Sequence, residues 1–570
     1  MPTISINLKD FSHLLGQGPV TAERVESWLP LVKGEMKDHD DATGELRIEL
    51  QDSNRPDLWS CEGIARQIRI ALAGKSSAYP FFKAKRPTKR LLVSRGLESI
   101  RPYVAACTAV GYRVTGEGLT QLIQMQEKLA DIFGRKRRTV SIGLYRLSGI
   151  VFPVTYTLVK PDEAKFTPLG FDEPMSLREI LSVHPKGVEY GPIVAGHDRV
   201  PLLRDADGQV LSLPPVINSR EIGEVRAGDA ELFVEVTGTD LLMVVLTLNI
   251  LATNLADRGA TIEPIEVVYP SATPLGKTVR TPLDFAQPRP IPVKTIEGAL
   301  GQSFGASSIA RALTAYGYRV KPAQGKVIVK LPPYRNDLMH AVDAVEDVAI
   351  SRGYGQFTPV MPSQFTVGGL SRVEQVSDRV RDLMIGLGFQ EIISNILASR
   401  QDLCDRMRLG RTPWSRLVEV DNAMSQSFSC LRQWITPSLL RVESASTRVF
   451  YPHRVFEVGE IAVPDPSDAQ GARTVMALGG LIAHAGAHFS EVHSCLDLLL
   501  FYLDYPYMLE PVAHPSFLDG RAGRILLDGR PVGLIGELHP EVLEHWQIGM
   551  PCVVFELEVD PLAEGNAAKS

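Results

Sequence analysis

The segment from Asp337 to Asp347 constrains the fold more than any other part of the chain. It follows Leu331-Pro-Pro-Tyr-Arg335, where two adjacent prolines rule out helix and favour a turn. Beyond that turn, Asp343, Glu346 and Asp347 stand at positions i, i+3 and i+4, which share one face of a helix. The spacing predicts an acidic helix directly after a rigid turn, with Asp337 close to its start.

Four carboxylates that converge on one spot repel each other unless a positive charge lies among them. Oxygen-only ligands of this kind suit a hard cation, Mg2+ in particular. One interpretation is therefore a magnesium site formed by Asp337, Asp343, Glu346 and Asp347. The other is a solvated acidic first turn whose charges complement the helix dipole. Spacing alone leaves both interpretations open.

Composition narrows the class of protein. A chain of 570 residues should form about three to five domains. It contains no run of about eighteen apolar residues, so no membrane span is expected. Six scattered cysteines without a CxxC pair argue against a zinc ribbon or a disulfide framework. They suit a reducing cytosol, so we expect a cytoplasmic protein.

The charge of the chain limits how it could bind nucleic acid. Its formal net charge is -6, whereas proteins that bind nucleic acid unaided are usually basic. If this chain contacts RNA, local patches or a partner chain must supply the positive field. The basic run Gly134–Arg138, at the end of a predicted helix, is one such patch. A solvated helix end favoured by the dipole is the simpler interpretation of the same run.

The spacing of apolar residues and the positions of prolines and glycines predict four α+β units. We expect an N-terminal domain in residues 1–90, a larger domain in 91–270, a small domain with the acidic helix in 281–360, and a last domain in 365–562. The proline-rich residues 271–290 are typical of a linker.

Three local patterns predict particular elements. Apolar and charged residues alternate through Leu46–Leu50, as in a half-buried strand. Apolar residues at spacings of three and four after Pro56 predict a helix that ends at Gly74. The Asp-Gly pair within Arg524–Ile535 predicts a β-hairpin.

Eight short segments occur in an order that is highly specific, although each is weak alone. They are Ser53–Leu58, Glu62–Arg66, His184–Gly191, Leu213–Asn218, Val236–Asp240, Pro333–Asp337, Phe456–Glu460 and Gly533–Pro540. In this order they resemble the beta subunits of phenylalanyl-tRNA synthetase (phenylalanine–tRNA ligase), in the shorter archaeal and eukaryotic form. The resemblance extends over nearly the whole chain.

The resemblance implies an α2β2 enzyme that uses ATP to join phenylalanine to its tRNA, with the aminoacylation site in the alpha subunit. It implies that residues 365–562 form an antiparallel-sheet domain of the class II synthetase type. A working site of that type holds ATP phosphate with arginines, which provide the necessary cation clamp. Here Arg454 is out of register and Gly533–Glu537 has no arginine. We therefore expect a catalytic-like fold that lacks catalytic residues and buries the alpha subunit's dimer-type surface.

The resemblance also implies a tRNA-editing domain in residues 91–270. Apolar pockets reject an added hydroxyl by only about a hundredfold, so a second, hydrolytic site is needed to remove wrongly attached tyrosine. The family's editing pocket falls on Leu203, Ser212, Glu235 and Thr237. Our hypothesis is that Glu235 and Thr237 hydrogen-bond the tyrosyl group, while Ser212 places the ester or a water molecule. The sequence shows no nucleophile–base pair, which favours a positioned water over a covalent intermediate.

Other interpretations stay open for each implied site. Without the resemblance, Ser212 and Thr237 are strand-end hydrogen-bonding residues, and Glu235 is an exposed strand carboxylate. The acidic helix is carried over as a structural Mg2+ site, because no nucleotide-binding loop lies near it. The rival function is a stand-alone tRNA-binding or trans-editing protein without an alpha partner. A third is a structural scaffold with an inactive editing site.

Overall fold

The computed structural model describes residues 2–51, 54–83, 87–410, 417–446 and 448–565. The chain divides into two compact units, residues 1–360 and residues 361–570, and each combines helices with strands. None of the described helices is long and apolar enough to cross a membrane.

The first unit begins with a three-stranded sheet and three helices. The elements are β1 (Thr3–Asn7), α1 (Leu8–Leu15), α2 (Ala22–Trp28), β2 (Gly34–Asp40), β3 (Glu45–Leu50) and α3 (Cys61–Ala73). The strand order is β1-β3-β2, and both pairings are antiparallel. Every second residue from Leu46 to Leu50 is fully buried, so the predicted half-buried strand is confirmed.

Helix α3 begins later than its sequence pattern suggests. Pro56 starts a short 3-10 turn that ends at Leu58, and Ser60 is the residue whose side chain caps the helix by accepting from the Gly63 amide. Its end at Gly74, in the left-handed conformation, is as predicted. Ser53, the first residue of the Ser53–Leu58 segment, lies outside the described residues.

A ten-stranded sheet forms the middle of the first unit. Its elements and the two short strands beside it are β4 (Lys89–Val93), β5 (Tyr103–Val110), β6 (Val140–Arg146), β7 (Val154–Val159), β8 (Lys165–Phe166), β9 (Met175–Ser176), β10 (Val200–Arg204), β11 (Val210–Leu213), β12 (Ile217–Asn218), β13 (Glu231–Gly238), β14 (Thr261–Thr273) and β15 (Gly276–Thr281). The helices are α4 (Gly116–Lys128), α5 (Leu177–Val183), α6 (Pro185–Tyr190), α7 (Arg220–Gly223) and α8 (Leu241–Asp257). The strand order is β12-β11-β10-β7-β4-β14-β5-β13-β6, with β15 paired to β14.

The expected linker at 271–290 is partly wrong. Residues up to Thr281 complete the β14–β15 hairpin, which turns at Gly276 with φ 111°. Of the prolines in this segment, Pro274 lies in the turn of the hairpin and the others follow Thr281, so they leave the ladder between the two strands intact.

Helix α8 covers one face of this sheet. It is apolar on nearly all sides, and residues Val244–Leu255 are buried without interruption. A helix of that kind must be enclosed, and α8 packs against β5 and β13.

The last part of the first unit is a small three-stranded sheet with three helices. The elements are β16 (Arg289–Pro292), α9 (Val293–Leu300), α10 (Gly305–Ala315), β17 (Arg319–Ala323), β18 (Lys326–Lys330) and α11 (Ala341–Arg352), with strand order β16-β18-β17. Helix α11 is the predicted acidic helix, and the segment before it is not helical, as its prolines require.

The second unit is built on a seven-stranded sheet. Its elements are α12 (Arg372–Gly386), β19 (Gln390–Glu391), β20 (Leu397–Ala398), β21 (Cys430–Leu431), α13 (Thr436–Ala445), β22 (His453–Pro464), β23 (Ala472–Ala483), α14 (Phe489–Tyr502), β24 (Tyr507–Pro511), β25 (Phe517–Leu527), β26 (Arg530–Leu538), α15 (Pro540–His545), β27 (Cys552–Glu558) and α16 (Asp560–Gly565). The strand order is β19-β22-β23-β27-β26-β25-β24, and every pairing is antiparallel except that of β19 with β22. The predicted hairpin is β25–β26, whose turn residues Asp528 and Gly529 both have positive φ.

Candidate functional site

The four residues of the expected editing pocket lie on three strands of the ten-stranded sheet. Leu203 on β10 pairs directly with Ser212 on β11. Glu235 and Thr237 lie two residues apart on β13 and so share one face. Strands β11 and β13 are near opposite ends of the strand order, yet Tyr145 on β6 contacts residues of both. The sheet therefore curls until its two ends meet at this site.

The Tyr145 side chain connects the two ends of the ten-stranded sheet. Its hydroxyl lies 2.8 Å from Ser212 Oγ, 3.0 Å from Glu235 Oε1 and 3.4 Å from Asn218 Oδ1. A phenol has one hydrogen to donate, and an ionised carboxylate is the strongest acceptor of the three. In that state Tyr145 donates to Glu235 and accepts from the Ser212 hydroxyl.

Glu235 is a buried carboxylate with one free oxygen. It is only 2% exposed, and its Oε2 atom has no hydrogen-bond partner among the described residues. Burial raises its pKa to about 7, although the Tyr145 hydrogen bond and the charge of Arg101 oppose that rise. The interpretation of Glu235 as an exposed strand carboxylate is therefore wrong. A buried acceptor without a donor is costly, and a ligand donor can relieve that cost.

Thr237 is held by its neighbours. Arg101 donates from Nε to the Thr237 hydroxyl at 3.0 Å and from Nη2 to its carbonyl at 2.6 Å, and Ser141 Oγ lies 2.9 Å from the same hydroxyl. Arg101 is itself buried, which lowers its pKa to about 10. The Thr237 side chain thus anchors a buried guanidinium beside the site, and its contact with a tyrosyl group stays a prediction.

Tyr145, Arg101 and Gly143 are the residues that sequence reasoning missed. Gly143 on β6 pairs with Glu235, and a Cβ added there would lie 2.3 Å from the Tyr145 hydroxyl and 2.4 Å from Glu235 Oε1. A glycine inside a strand marks a close approach of other atoms. That glycine was the available signal, but it does not indicate which side chains fill the space.

The Ser212 hydroxyl has no base to activate it. Across the part of the chain that the structure describes, no histidine, lysine or carboxylate hydrogen-bonds its Oγ atom, whose partner is Tyr145. His184, the histidine of the His184–Gly191 segment, has both ring nitrogens engaged by the Leu169 carbonyl and the Lys186 amide. This arrangement agrees with the preference for a positioned water over a serine nucleophile.

The basic run Gly134–Arg138 divides into exposed and structural residues. Arg135 and Lys136 are exposed in left-handed backbone conformations. Arg137 instead donates to the carbonyls of Pro215 and Val216 at 3.1 Å and 2.9 Å. The interpretation as a solvated helix end therefore does not hold for Arg137, which braces the loop after β11.

The four carboxylates of the acidic helix do not converge in the structure. Asp343 caps its own helix by accepting from the amides of Met339 and His340, at 2.6 Å each. Glu346 points to the surface and pairs with Lys33 at 2.8 Å. Asp337 and Asp347 are buried, and both contact another residue of the first unit.

That residue is Arg335, which lies where a cation was expected. Its guanidinium donates to both oxygens of Asp337, at 2.9 Å and 2.6 Å, and to Asp347 Oδ2 at 2.7 Å. Burial alone would raise the pKa of Asp337, but Arg335 and Arg55 lower it to about 2. Burial raises the pKa of Asp347, which also accepts from the Tyr318 hydroxyl at 2.6 Å.

The residues as placed do not fit a magnesium ion held by all four carboxylates. The Arg335 guanidinium neutralises the two buried acids, while Asp343 is held by backbone amides and Glu346 by Lys33. Within residues 2–51, 54–83, 87–410, 417–446 and 448–565, no three His, Cys, Asp or Glu side chains are placed to share a metal ion. The expected convergence is thus corrected, and Mg2+ binding at Asp337, Asp343, Glu346 and Asp347 stays a prediction that a titration must test.

Two arginines of the second unit, Arg432 and Arg454, are held by carboxylates. Arg454 donates to Glu491 at 2.8 Å and to the Leu387 carbonyl. Arg432 is buried and donates to Glu457 at 2.8 Å. Both guanidiniums are therefore neutralised by carboxylates of the same unit.

A cavity of about 270 Å3 lies on the same side of the seven-stranded sheet as helix α13. Arg524 is the only cation among its described lining residues, and it stands with the carboxylates of Glu556 and Glu558. A triphosphate carries several negative charges and needs a cation clamp, which this lining does not provide.

Comparison with known proteins identifies related families for two segments of the chain. Residues 358–559 match the family model of the phenylalanyl tRNA synthetase beta chain CLM domain, and residues 290–354 match that of the tRNA synthetase B5 domain. The phenylalanine–tRNA ligase beta subunit of Treponema pallidum subsp. pallidum is 41% identical over 91% of this chain and 86% of that protein. The beta subunit of Pyrococcus horikoshii is 37% identical over 99% of this chain and 100% of that protein.

A solved structure extends the similarity to the first unit. The N-terminal fragment of the phenylalanyl-tRNA synthetase beta subunit from Pyrococcus horikoshii matches with a TM-score of 0.58 and 36% identity, and covers 62% of this chain and 100% of the fragment. The chain therefore belongs to the phenylalanine–tRNA ligase beta-subunit family and is a subunit of an aminoacyl-tRNA synthetase.

Proposed function

We propose that this chain works in the cytoplasm with a ligase alpha subunit, as an α2β2 tetramer that binds tRNA. The alpha subunit binds ATP and phenylalanine and performs aminoacylation, and the Mg2+ that the family uses accompanies that reaction. The observation that supports this division is the neutralisation of Arg432 and Arg454 by carboxylates. Because these two guanidiniums are held by carboxylates, they are not available to stabilise the charges of ATP.

Apolar side chains on the surface of the second unit support a partner. Ile393 is 93% exposed and Phe450 is 95% exposed, and Ile385 and Phe501 are exposed as well. Large apolar side chains that are this exposed are candidates for burial against a partner. They are the surface that we assign to the alpha subunit.

We further propose that residues 91–270 hydrolyse tRNA that carries tyrosine in place of phenylalanine. The observation that carries this proposal is the free, buried Oε2 atom of Glu235. The phenol of a tyrosyl group can donate to it, whereas a phenylalanyl group leaves it unpaired. Leaving a buried charged acceptor unpaired costs about 1–3 kcal/mol or more, which is enough to discriminate between the two esters.

The hydrolytic step in this proposal uses a positioned water. Ser212 lies opposite Leu203 and beside Tyr145; its hydroxyl hydrogen is donated to Tyr145, and its oxygen can accept from the attacking water and so orient it. A histidine or carboxylate base on Ser212 would be needed for a covalent route. None of the relatives supports the rival function, a stand-alone protein without an alpha partner.

The test compares deacylation of Tyr-tRNA and Phe-tRNA by the chain purified together with its alpha subunit. We expect wild-type protein to deacylate Tyr-tRNA faster and Glu235→Ala to lose that preference. Glu266→Ala removes a carboxylate from the same sheet that pairs with Arg90, and it should behave as wild type. Full clearance of Tyr-tRNA by Glu235→Ala would remove Glu235 from the mechanism, and no clearance by wild type would refute editing.

A further inference from the structure

Tyr145 is a buried residue of the editing site to which the function above gives no role. Its phenol lies 3.0 Å from Oε1 of Glu235, while Oε2 of the same carboxylate has no partner among the described residues. The site thus already places one phenol on the carboxylate and leaves the other oxygen without a hydrogen bond among the described residues.

The strand register fixes this arrangement. Tyr145 and Gly143 on β6 pair with Phe233 and Glu235 on β13. The rings of Tyr145 and Phe233 pack with their centroids 5.6 Å apart. At Gly143, the space that a Cβ would occupy is taken by the phenol oxygen and by Glu235 Oε1. The phenol and Oε1 are therefore held together by packing as well as by their hydrogen bond.

We propose that Tyr145 is a positioning residue for tyrosine recognition: by holding Oε1 of Glu235, it presents Oε2 to the phenol of a tyrosyl ester. This inference rests on the editing function proposed above. An ionised carboxylate accepts hydrogen bonds on both oxygens, whereas a protonated one carries a donor on one of them. Tyr145 therefore stabilises the state of Glu235 that recognises the wrong amino acid.

The ionisable side chains that face Glu235 give this role a measurable signature. They are Tyr145, Arg101 and Tyr156. Arg101 stays protonated and Tyr156 stays neutral near pH 7, because the pKa of Arg101 is about 10 and burial raises that of Tyr156. The Tyr145 hydrogen bond lowers the pKa of Glu235, so its loss should move discrimination to higher pH.

The experiment measures kcat/KM for deacylation of Tyr-tRNA and Phe-tRNA across about pH 5.5 to 8.5. It uses the full chain purified with its alpha subunit. The ratio of the two values cancels the base lability common to both esters. For Tyr145→Phe we expect the ratio to fall about tenfold at pH 7, mainly through KM for Tyr-tRNA, and its pH midpoint to rise.

Tyr269→Phe is the matched control. Tyr269 is a buried tyrosine of the same sheet whose hydroxyl bonds the Val104 carbonyl at 2.7 Å, away from Glu235. It should keep the wild-type ratio and midpoint. A Tyr145→Phe variant with the wild-type ratio and midpoint overturns the inference, whereas wild-type protein without any preference for Tyr-tRNA overturns the editing function itself.

A second measurement applies if Tyr145→Phe fails to fold. Incorporation of 3-fluorotyrosine at position 145 keeps the ring and the hydroxyl but makes the phenol a stronger donor. The pH midpoint of discrimination should then move to lower pH. An unchanged midpoint in the folded fluorinated protein overturns the inference.

Discussion

Replacing Arg335 with methionine should destabilise the small domain that contains the acidic helix. The Arg335 side chain is 1% exposed and donates to two buried carboxylates, Asp337 at 2.6 Å and Asp347 at 2.7 Å. Methionine keeps much of the apolar volume but removes the charge, so both carboxylates lose the guanidinium that hydrogen-bonds them, and Arg55, 4.0 Å from Asp337, is the cation that remains. Removing one partner of a buried ion pair costs about 3–5 kcal/mol. We therefore expect the free energy of opening this domain to fall by about 4 kcal/mol at pH 7.

The pH dependence follows from Asp337. Its pKa is 3.8 in the unfolded chain and about 2 in the fold. Since each pKa unit corresponds to about 1.4 kcal/mol, this one carboxylate contributes roughly 2 kcal/mol. A depressed acid pKa stabilises the fold fully above about pH 3.8, and that contribution is lost as the pH falls through about 2. In Arg335→Met the carboxylates protonate at higher pH, so the difference from wild type should shrink between pH 7 and about pH 4.

Hydrogen–deuterium exchange of peptides from residues 316–352 measures this local opening without requiring the whole chain to unfold in one step. Arg319→Met is the matched control, because Arg319 is 45% exposed and forms a surface pair with Asp284 at 3.2 Å. Such pairs contribute about 0–1 kcal/mol. If Arg335→Met changes the opening free energy by no more than the Arg319 control, the ion-pair argument is refuted.

Two further predictions concern Glu235 and the acidic helix α11. Glu235→Gln should stabilise the first unit by about 3 kcal/mol at pH 8, because the raised pKa of about 7 means that the ionised form is disfavoured in the fold. The gain should vanish below about pH 4.5, where folded and unfolded protein both carry the protonated acid, and a pH-independent gain would contradict it. The magnesium site expected at Asp337, Asp343, Glu346 and Asp347 predicts that millimolar Mg2+ protects α11 from exchange in the wild-type chain; unchanged exchange would show that these residues stay as placed and hold no ion.

Strands and turns could be predicted from the sequence where the pattern that determines them lies in neighbouring residues. The alternation of apolar and charged residues predicted the buried face of Leu46–Leu50, because successive side chains of a strand point to opposite faces. The Asp528-Gly529 pair predicted the β25–β26 hairpin, because both residues of such a turn need positive φ. The start of α3 was missed because the apolar spacing after Pro56 does not show which side chain caps the helix. Only the structure shows that Ser60 accepts from the Gly63 amide.

The candidate site depends on contacts that sequence spacing does not contain. Strand β13 is buried on both faces, so the interpretation of Glu235 as an exposed strand carboxylate gave the wrong environment. Tyr145 reaches Ser212 and Glu235 only because the two ends of the sheet meet. Likewise, the acidic pattern indicated that a cation was needed, but it could not indicate that Arg335 supplies it.

The central claim is that the second unit holds Arg432 and Arg454 in ion pairs with its own carboxylates and does not bind ATP with them, so a separate subunit performs aminoacylation. The direct measurement is ATP-dependent attachment of phenylalanine to tRNA by the purified chain, alone and after addition of the alpha subunit. The account predicts no charging by the chain alone and full charging once the alpha subunit is present. Charging by the isolated chain would contradict it.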